Sequence, residues 1–273
     1  MRIEEADATS YDDLRKIGEK HKIDGIVNVG GGFRTGPKNP TSGFEGYFDM
    51  LLAIFKLAQE WKVKRITFSS TGGMYVGLPG NATEAMPITL QSPFPRGGSI
   101  LQYQKVVEIM SSEFQNATGI STICVRLMGM FGPFQDISQS FANAPLTLVH
   151  AATSGKTADL TKTIFGYADD SVDLLYIKDL ARAIALLQTA DKLQYNVYNI
   201  ASGKHTPTKD LVQAVQKAVP EFRVDLPPGK FPFPPLPAID TTRLRTDTGF
   251  TPQYDIQTAI QDYVDWLRAG NPK

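Results

Sequence analysis

Lys105 stands in the run Gly97-Gly98-Ser99-Ile100-Leu101-Gln102-Tyr103-Gln104-Lys105-Val106-Val107-Glu108. On a helix, the residue four places before a lysine shares its face. A tyrosine there would have its pKa lowered by the ammonium and become a usable acid or base. Position 101 is leucine, which has no proton to exchange. Tyr103 is no substitute, because two helical steps turn it by about 200° away from the Lys105 face. Other chemistries find less footing. His21, His150 and His205 are too scattered for a metal-ligand spacing, and no Gly-x-Ser-x-Gly elbow is present. Cys124, the lone cysteine, sits between Ile123 and Val125 and reads as a buried strand thiol.

The chain of 273 residues is 42% hydrophobic and 21% charged, with 28 basic against 28 acidic side chains. That composition describes a soluble globular chain of one large or two modest domains. Balanced charge offers no footprint for nucleic acid or an anionic membrane, and neither is expected as a partner. No apolar run reaches the ~18 residues of a membrane span, and Met1-Arg2-Ile3-Glu4-Glu5 is no signal peptide, so a cytoplasmic location is expected.

The elements that must carry Lys105 alternate between short apolar runs and longer amphipathic ones, the pattern of a parallel α/β sheet. Helices are expected over 11–22, 44–62 and 101–117, and strands over 25–29, 65–71 and 121–127. The strand at 25–29 runs into Gly30-Gly31-Gly32, whose sequel Phe33-Arg34-Thr35-Gly36-Pro37 is loop-like. Further on, a strand at 173–177 leads into a helix at 179–188 with Asp179 as its cap. A strand follows at 195–200, then a helix over 206–219 capped by Thr206 or Thr208, and a final helix at 255–267. Six prolines between Pro227 and Pro237, interleaved with Phe231, Phe233 and Leu236, read as a packed loop.

These pieces in this order resemble the extended short-chain dehydrogenase/reductases, the NAD-dependent epimerases and dehydratases, over nearly the whole chain. The resemblance rests on Asp7 after a strand remnant, the 26–29 strand ending in glycines, and Val63-Lys64-Arg65 leading into Ser69-Ser70-Thr71. It continues through Tyr75, Lys105 with Glu108, Arg126 through Gly132-Pro133, Tyr176-Ile177-Lys178-Asp179, Asn199 through Gly203, and Thr248 through Pro252. It implies a truncated Rossmann-like, doubly wound parallel sheet over 1–130 and 172–202, with a smaller α/β substrate region over 131–171 and 203–273. It also implies NAD or NADP as cofactor, contacted at Asp7, Ala8, Gly30, Gly31, Ser69 and Lys105. Catalysis would fall to Thr71 and Lys105, with Tyr75 as the stand-in acid or else a packing or substrate-contact tyrosine. Arg126 would contact substrate or close an ion pair at a strand end. The substrate class is a sugar nucleotide or a small carbonyl or alcohol compound.

The chain departs from the family in three places. Leu101 replaces the tyrosine, and bulky Tyr47, Met50 and Leu51 fall where the family is small or polar. The family's opening strand, glycine-rich turn and helix, which hold the cofactor pyrophosphate, would lie before Met1, a stretch of roughly 50 residues against the ~30 of one βαβ unit. Impaired cofactor binding and catalysis are therefore expected. The alternatives are a binding or scaffold protein on the same fold and, less favoured, a cofactor-independent hydrolase. The fully apolar Ile26, Val27 and Val29 imply a strand buried on both faces, to be covered by residues 2–6 or by a second copy of the chain.

Overall fold

The computed structural model describes residues 2–30, 41–91, 99–135, 143–234 and 236–271. Two compact units emerge: residues 1–74, 87–126 and 187–198 in the first, and 75–86, 127–186 and 199–273 in the second.

In the first unit, α1 (Tyr11–Lys20) is started by Ser10, whose side chain accepts the Asp13 amide, and Asp12 and Asp13 occupy its first turn, where the helix dipole favours acids. Then come β1 (Gly25–Asn28), α2 (Ser42–Glu60), β2 (Arg65–Thr71), α3 (Ser99–Thr118) and β3 (Ser121–Leu127). β1 pairs with β2 in parallel, Gly25 opposite Arg65 and Asn28 opposite Phe68. One face of the sheet is closed by α2 and α3 through Leu51, Ile54, Phe55, Phe68, Tyr103 and Val107. Fully burying a side chain such as Leu51 or Phe68 stabilises by roughly 1.5–3 kcal/mol. Tyr103 stacks on Tyr47 at 4.8 Å within this core, the direction its two-step offset from Lys105 predicts. Tyr47 and Met50 are core residues too, so their bulk is absorbed by packing.

The second unit contains β4 (Met130–Phe131), α4 (Ala144–Ser154), β5 (Ser171–Asp173), β6 (Leu175–Tyr176) and α5 (Ile177–Thr189) up to residue 186, the last three residues of α5 belonging to the first unit. After β7 (Val197–Ile200) it continues with β8 (His205–Pro207), α6 (Thr208–Ala218), α7 (Thr242–Thr248) and α8 (Ile256–Arg268). The main sheet has the order β1-β2-β3-β7, and two-stranded pairs β4-β6 and β5-β8 complete the strands. Helices α4, α6 and α8 pack around one apolar cluster that includes Leu148, Val215 and Ile260. The described residues of the proline-rich stretch form no helix or strand and pack, with Phe231 against Tyr167 and Phe233 against Phe165.

Three expectations are corrected here. Asp179 does not cap its own helix, which begins at Ile177; its buried carboxylate accepts the amides of Gln253 and Tyr254 at 2.9 Å and so fixes the loop before α8. Neither Thr206 nor Thr208 caps α6, because Pro207 holds that position and the Thr208 hydroxyl instead donates to the carbonyls of Phe165 and Asp170. Finally, β1 is an edge strand and is not buried on both faces: Val27 is 43% and Val29 61% exposed. Residues 2–6 form no strand beside it, and Glu4 instead meets Lys20 and His21 at the end of α1.

Candidate active site

β2 carries Ser69, Ser70 and Thr71 to its carboxyl end. Pleating sends alternate side chains to opposite faces, so Ser69 and Thr71 are partly open while Ser70 is buried. The Thr71 hydroxyl oxygen accepts the Gly73 amide at 3.0 Å, and its own proton has no acceptor among the described residues. A Cβ on Gly73 would stand 3.1 Å from that oxygen and 4.0 Å from Leu101 Cδ1, so the leucine side chain reaches the Thr71 turn. Leu101 is 3% exposed. One helical turn along, the Lys105 ammonium donates to the carbonyls of Leu90 at 3.2 Å and Gln91 at 3.1 Å, and burial lowers its pKa from the ordinary lysine value.

Below Thr71 lies a buried charge cluster that sequence reasoning assigned only in part. Glu108 on α3 accepts from Arg126 on β3 through Nε at 2.9 Å and Nη2 at 2.7 Å, and from the Ser70 hydroxyl at 2.5 Å. The side chains of Arg126 and Glu108 are only 4% and 13% exposed. Of the two readings of Arg126, the geometry displays the ion pair. It joins α3, β2 and β3 directly beneath the Thr71 end and so fixes the face on which Leu101 and Lys105 lie.

The remaining candidates make contacts of their own. Asp7 is exposed and its carboxylate accepts the amide and hydroxyl of Thr9 at 2.8 Å, bonds that lower its pKa; Ala8 beside it is exposed. Gly30 donates its amide to Asn28 Oδ1 at 3.0 Å, and Gly31 lies outside the described residues. Tyr75 belongs to the second unit, where it is fully buried and donates to Asn199 Oδ1 at 2.8 Å. Asn199 in turn donates to the carbonyls of Ala82 and Asp240, and its amide to Glu84. The Tyr75 hydroxyl thus has a buried acceptor in Asn199. The buried His150 meets the Tyr263 hydroxyl at 2.9 Å, and His21 meets Glu4. Among the described residues, no group of three or more metal-ligating side chains exists, and no helix is long and apolar enough to cross a membrane.

The family model described as the NAD dependent epimerase/dehydratase family matches residues 1–201. Protein YeeZ of Escherichia coli is 26% identical, over 81% of this chain and 68% of that protein. A UDP-glucuronate 4-epimerase of Thermodesulfobacterium geofontis is 23% identical, over 73% of this chain and 58% of that one. Among solved structures, a Thermus thermophilus UDP-glucose 4-epimerase in complex with NAD aligns with a TM-score of 0.76 at 21% identity, over 96% of this chain and 83% of that one. The likeness extends to the whole fold: an α/β Rossmann-like chain built on a parallel sheet.

Proposed function

The chain belongs to the NAD dependent epimerase/dehydratase family, and from that premise we propose that it binds a sugar-nucleotide or small carbonyl or alcohol ligand while being impaired in cofactor binding and hydride transfer. The observation that carries this reading is Leu101, buried one turn before a Lys105 whose ammonium is already held by two backbone carbonyls. A nicotinamide ribose needs that ammonium, and a reacting alcohol needs a proton acceptor at position 101. The residues present do not fit either demand. They fit ligand binding better: the open Thr71 hydroxyl can donate to a sugar or carbonyl oxygen, held in place by the Gly73 amide. Relatives named as sugar-nucleotide epimerases support the substrate class. A second copy of the chain covering the exposed β1 edge belongs to the same reading, since Val27 and Val29 are left open there.

Thermal unfolding with NAD, NADP and UDP-sugars tests it. A ligand present at 100 times its Kd stabilises by about 2.7 kcal/mol, so a UDP-sugar should raise the midpoint while NAD and NADP leave it in place. Leu101→Tyr should remain inactive in an absorbance assay of NADH formation. NADH formation by the unaltered chain, or a midpoint raised by either cofactor, would overturn the impairment.

A further inference from the structure

At the other end of β2 from Thr71, roughly 20 Å away at about 3.3 Å per residue, lies a cavity of ≈ 570 Å³. It opens beside the first residues of β1, β2 and β3, and its wall is built around Arg65. That side chain belongs to a residue 8% exposed. Its Nη1 donates to the carbonyls of Leu187 at 2.7 Å, Gln188 at 3.1 Å and Ala190 at 2.8 Å, and its Nε to Ser121 Oγ at 3.1 Å. Arg65 therefore closes the last turn of α5, where a cation is favoured by the helix dipole.

Two features go beyond capping. None of these partners is a carboxylate, so among the described residues the buried guanidinium is balanced by dipoles alone; burial lowers its pKa from the ordinary arginine value, as expected for a cation short of counter-charge. And Nη2, with two N–H groups, has no hydrogen-bond partner among the described residues yet is not one of the sealed, unpartnered buried atoms, so it faces the open space. Ser121, accepting from Nε, keeps its own proton for a further acceptor. The wall is held rigid by Gln188, which accepts from the Thr67 hydroxyl at 2.6 Å and donates to the Arg65 carbonyl at 3.1 Å. Gln188 reaches this position only because residue 25 is glycine: a Cβ there would stand 2.2 Å from its Nε2. Of the acids in the lining, Asp24 is paired with Lys22 at 3.0 Å, which leaves Lys64 and Arg65 against Asp191.

We propose that this cavity is a binding site for a small oxyanion, a phosphate or carboxylate group, received by Arg65 Nη2 and the Ser121 hydroxyl with Lys64 at its mouth. An anion there would supply the counter-charge Arg65 lacks, through charge-assisted hydrogen bonds from the free N–H groups of Nη2. The site lies far from Thr71 and does not depend on what binds there.

The test is titration of the full chain with inorganic phosphate and, separately, acetate, at constant ionic strength, following the Arg65 Nε–Hε resonance and the thermal midpoint. A saturable shift with a raised midpoint is expected; the anion that produces it identifies phosphate or carboxylate as the ligand chemistry. Ser121→Ala should weaken the response about tenfold, the loss of one hydrogen bond to a charged group, and Lys64→Ala should weaken it less. Arg65→Lys should abolish it; if that variant does not fold, Ser121→Ala decides. A strictly linear response to both anions, or a saturable one unchanged by Ser121→Ala, would overturn the proposal.

Discussion

Glu108 shows how a single carboxylate can organise the candidate site without touching a ligand. It pairs with a guanidinium that is 4% exposed, and removing one member of a buried pair leaves the other charge uncompensated. Glu108→Gln should therefore lower the denaturation midpoint, with a loss of about 3–5 kcal/mol. Replacing both residues, Glu108→Leu with Arg126→Met, should recover most of it. Cys124 offers a local readout: burial, and then the nearby Glu108 carboxylate, push its thiol up to about 12, so it should resist alkylation at neutral pH until the first unit opens. Faster labelling in Glu108→Gln than in the double variant is expected; equal rates would show that the pair does not hold α3 against β2 and β3. This cluster is half legible in the sequence. Arg126 at a strand end suggests an ion pair, but its partner lies 18 positions away on α3, a separation no local rule spans. Leu101 is fully legible, because helical spacing alone places it over the Lys105 face, and the structure then shows what it touches.

At the scale of elements, local chemistry explains most boundaries. Asp255 is the N-cap of α8, accepting the Thr258 amide at 2.8 Å, and that bond lowers its pKa. A carboxyl with a depressed folded pKa contributes stability above its unfolded value, near 3.9, and loses it as pH falls through the folded value. Asp255→Ala should thus cost about 1 kcal/mol at neutral pH, and the difference from wild type should shrink below about pH 4. A pH-independent difference, measured by urea unfolding, would place the effect in packing. The first unit's helices and strands are legible to within a few residues because each has a regular period and a marked end. Helix α4 is not read from the sequence, although Asn143 accepts the Leu146 amide and Pro145 sits in its first turn. Its side chains are buried almost all round, from Ala144 to Ala152, which erases the amphipathic period. The strand expected at 173–177 divides at Leu174 for a tertiary reason: the chain passes so close to Gly129 that a Cβ there would lie 1.7 Å from the Asp173 carbonyl oxygen. Asp179 illustrates the same limit. An acid in a first turn reads as a cap, whereas its partners are amides more than 70 residues away.

For the molecule as a whole, the sheet poses the open question. Among the described residues β1 pairs only with β2, and its run Gly25-Ile26-Val27-Asn28-Val29-Gly30 carries no charge or proline of the kind that guards natural edges. The sequence makes this strand look buried because a continuous apolar run is the mark of an interior parallel strand. Within one chain it is instead partly exposed, and residues 2–6 do not cover it. The apolar pattern and the exposure are reconciled if the edge is covered by a second copy, whose β1 would approach antiparallel across a two-fold axis, since that symmetry reverses strand direction. Sedimentation should then give a concentration-dependent dimer. Val29→Lys, which places a solvated charge on the edge without touching Arg65, Thr71 or Lys105, should shift it to monomer while leaving the unfolding midpoint of the monomer within about 0.5 kcal/mol. A wild-type chain that stays monomeric at every concentration, or a Val29→Lys dimer as strong as wild type, would place the self-association surface elsewhere or remove it.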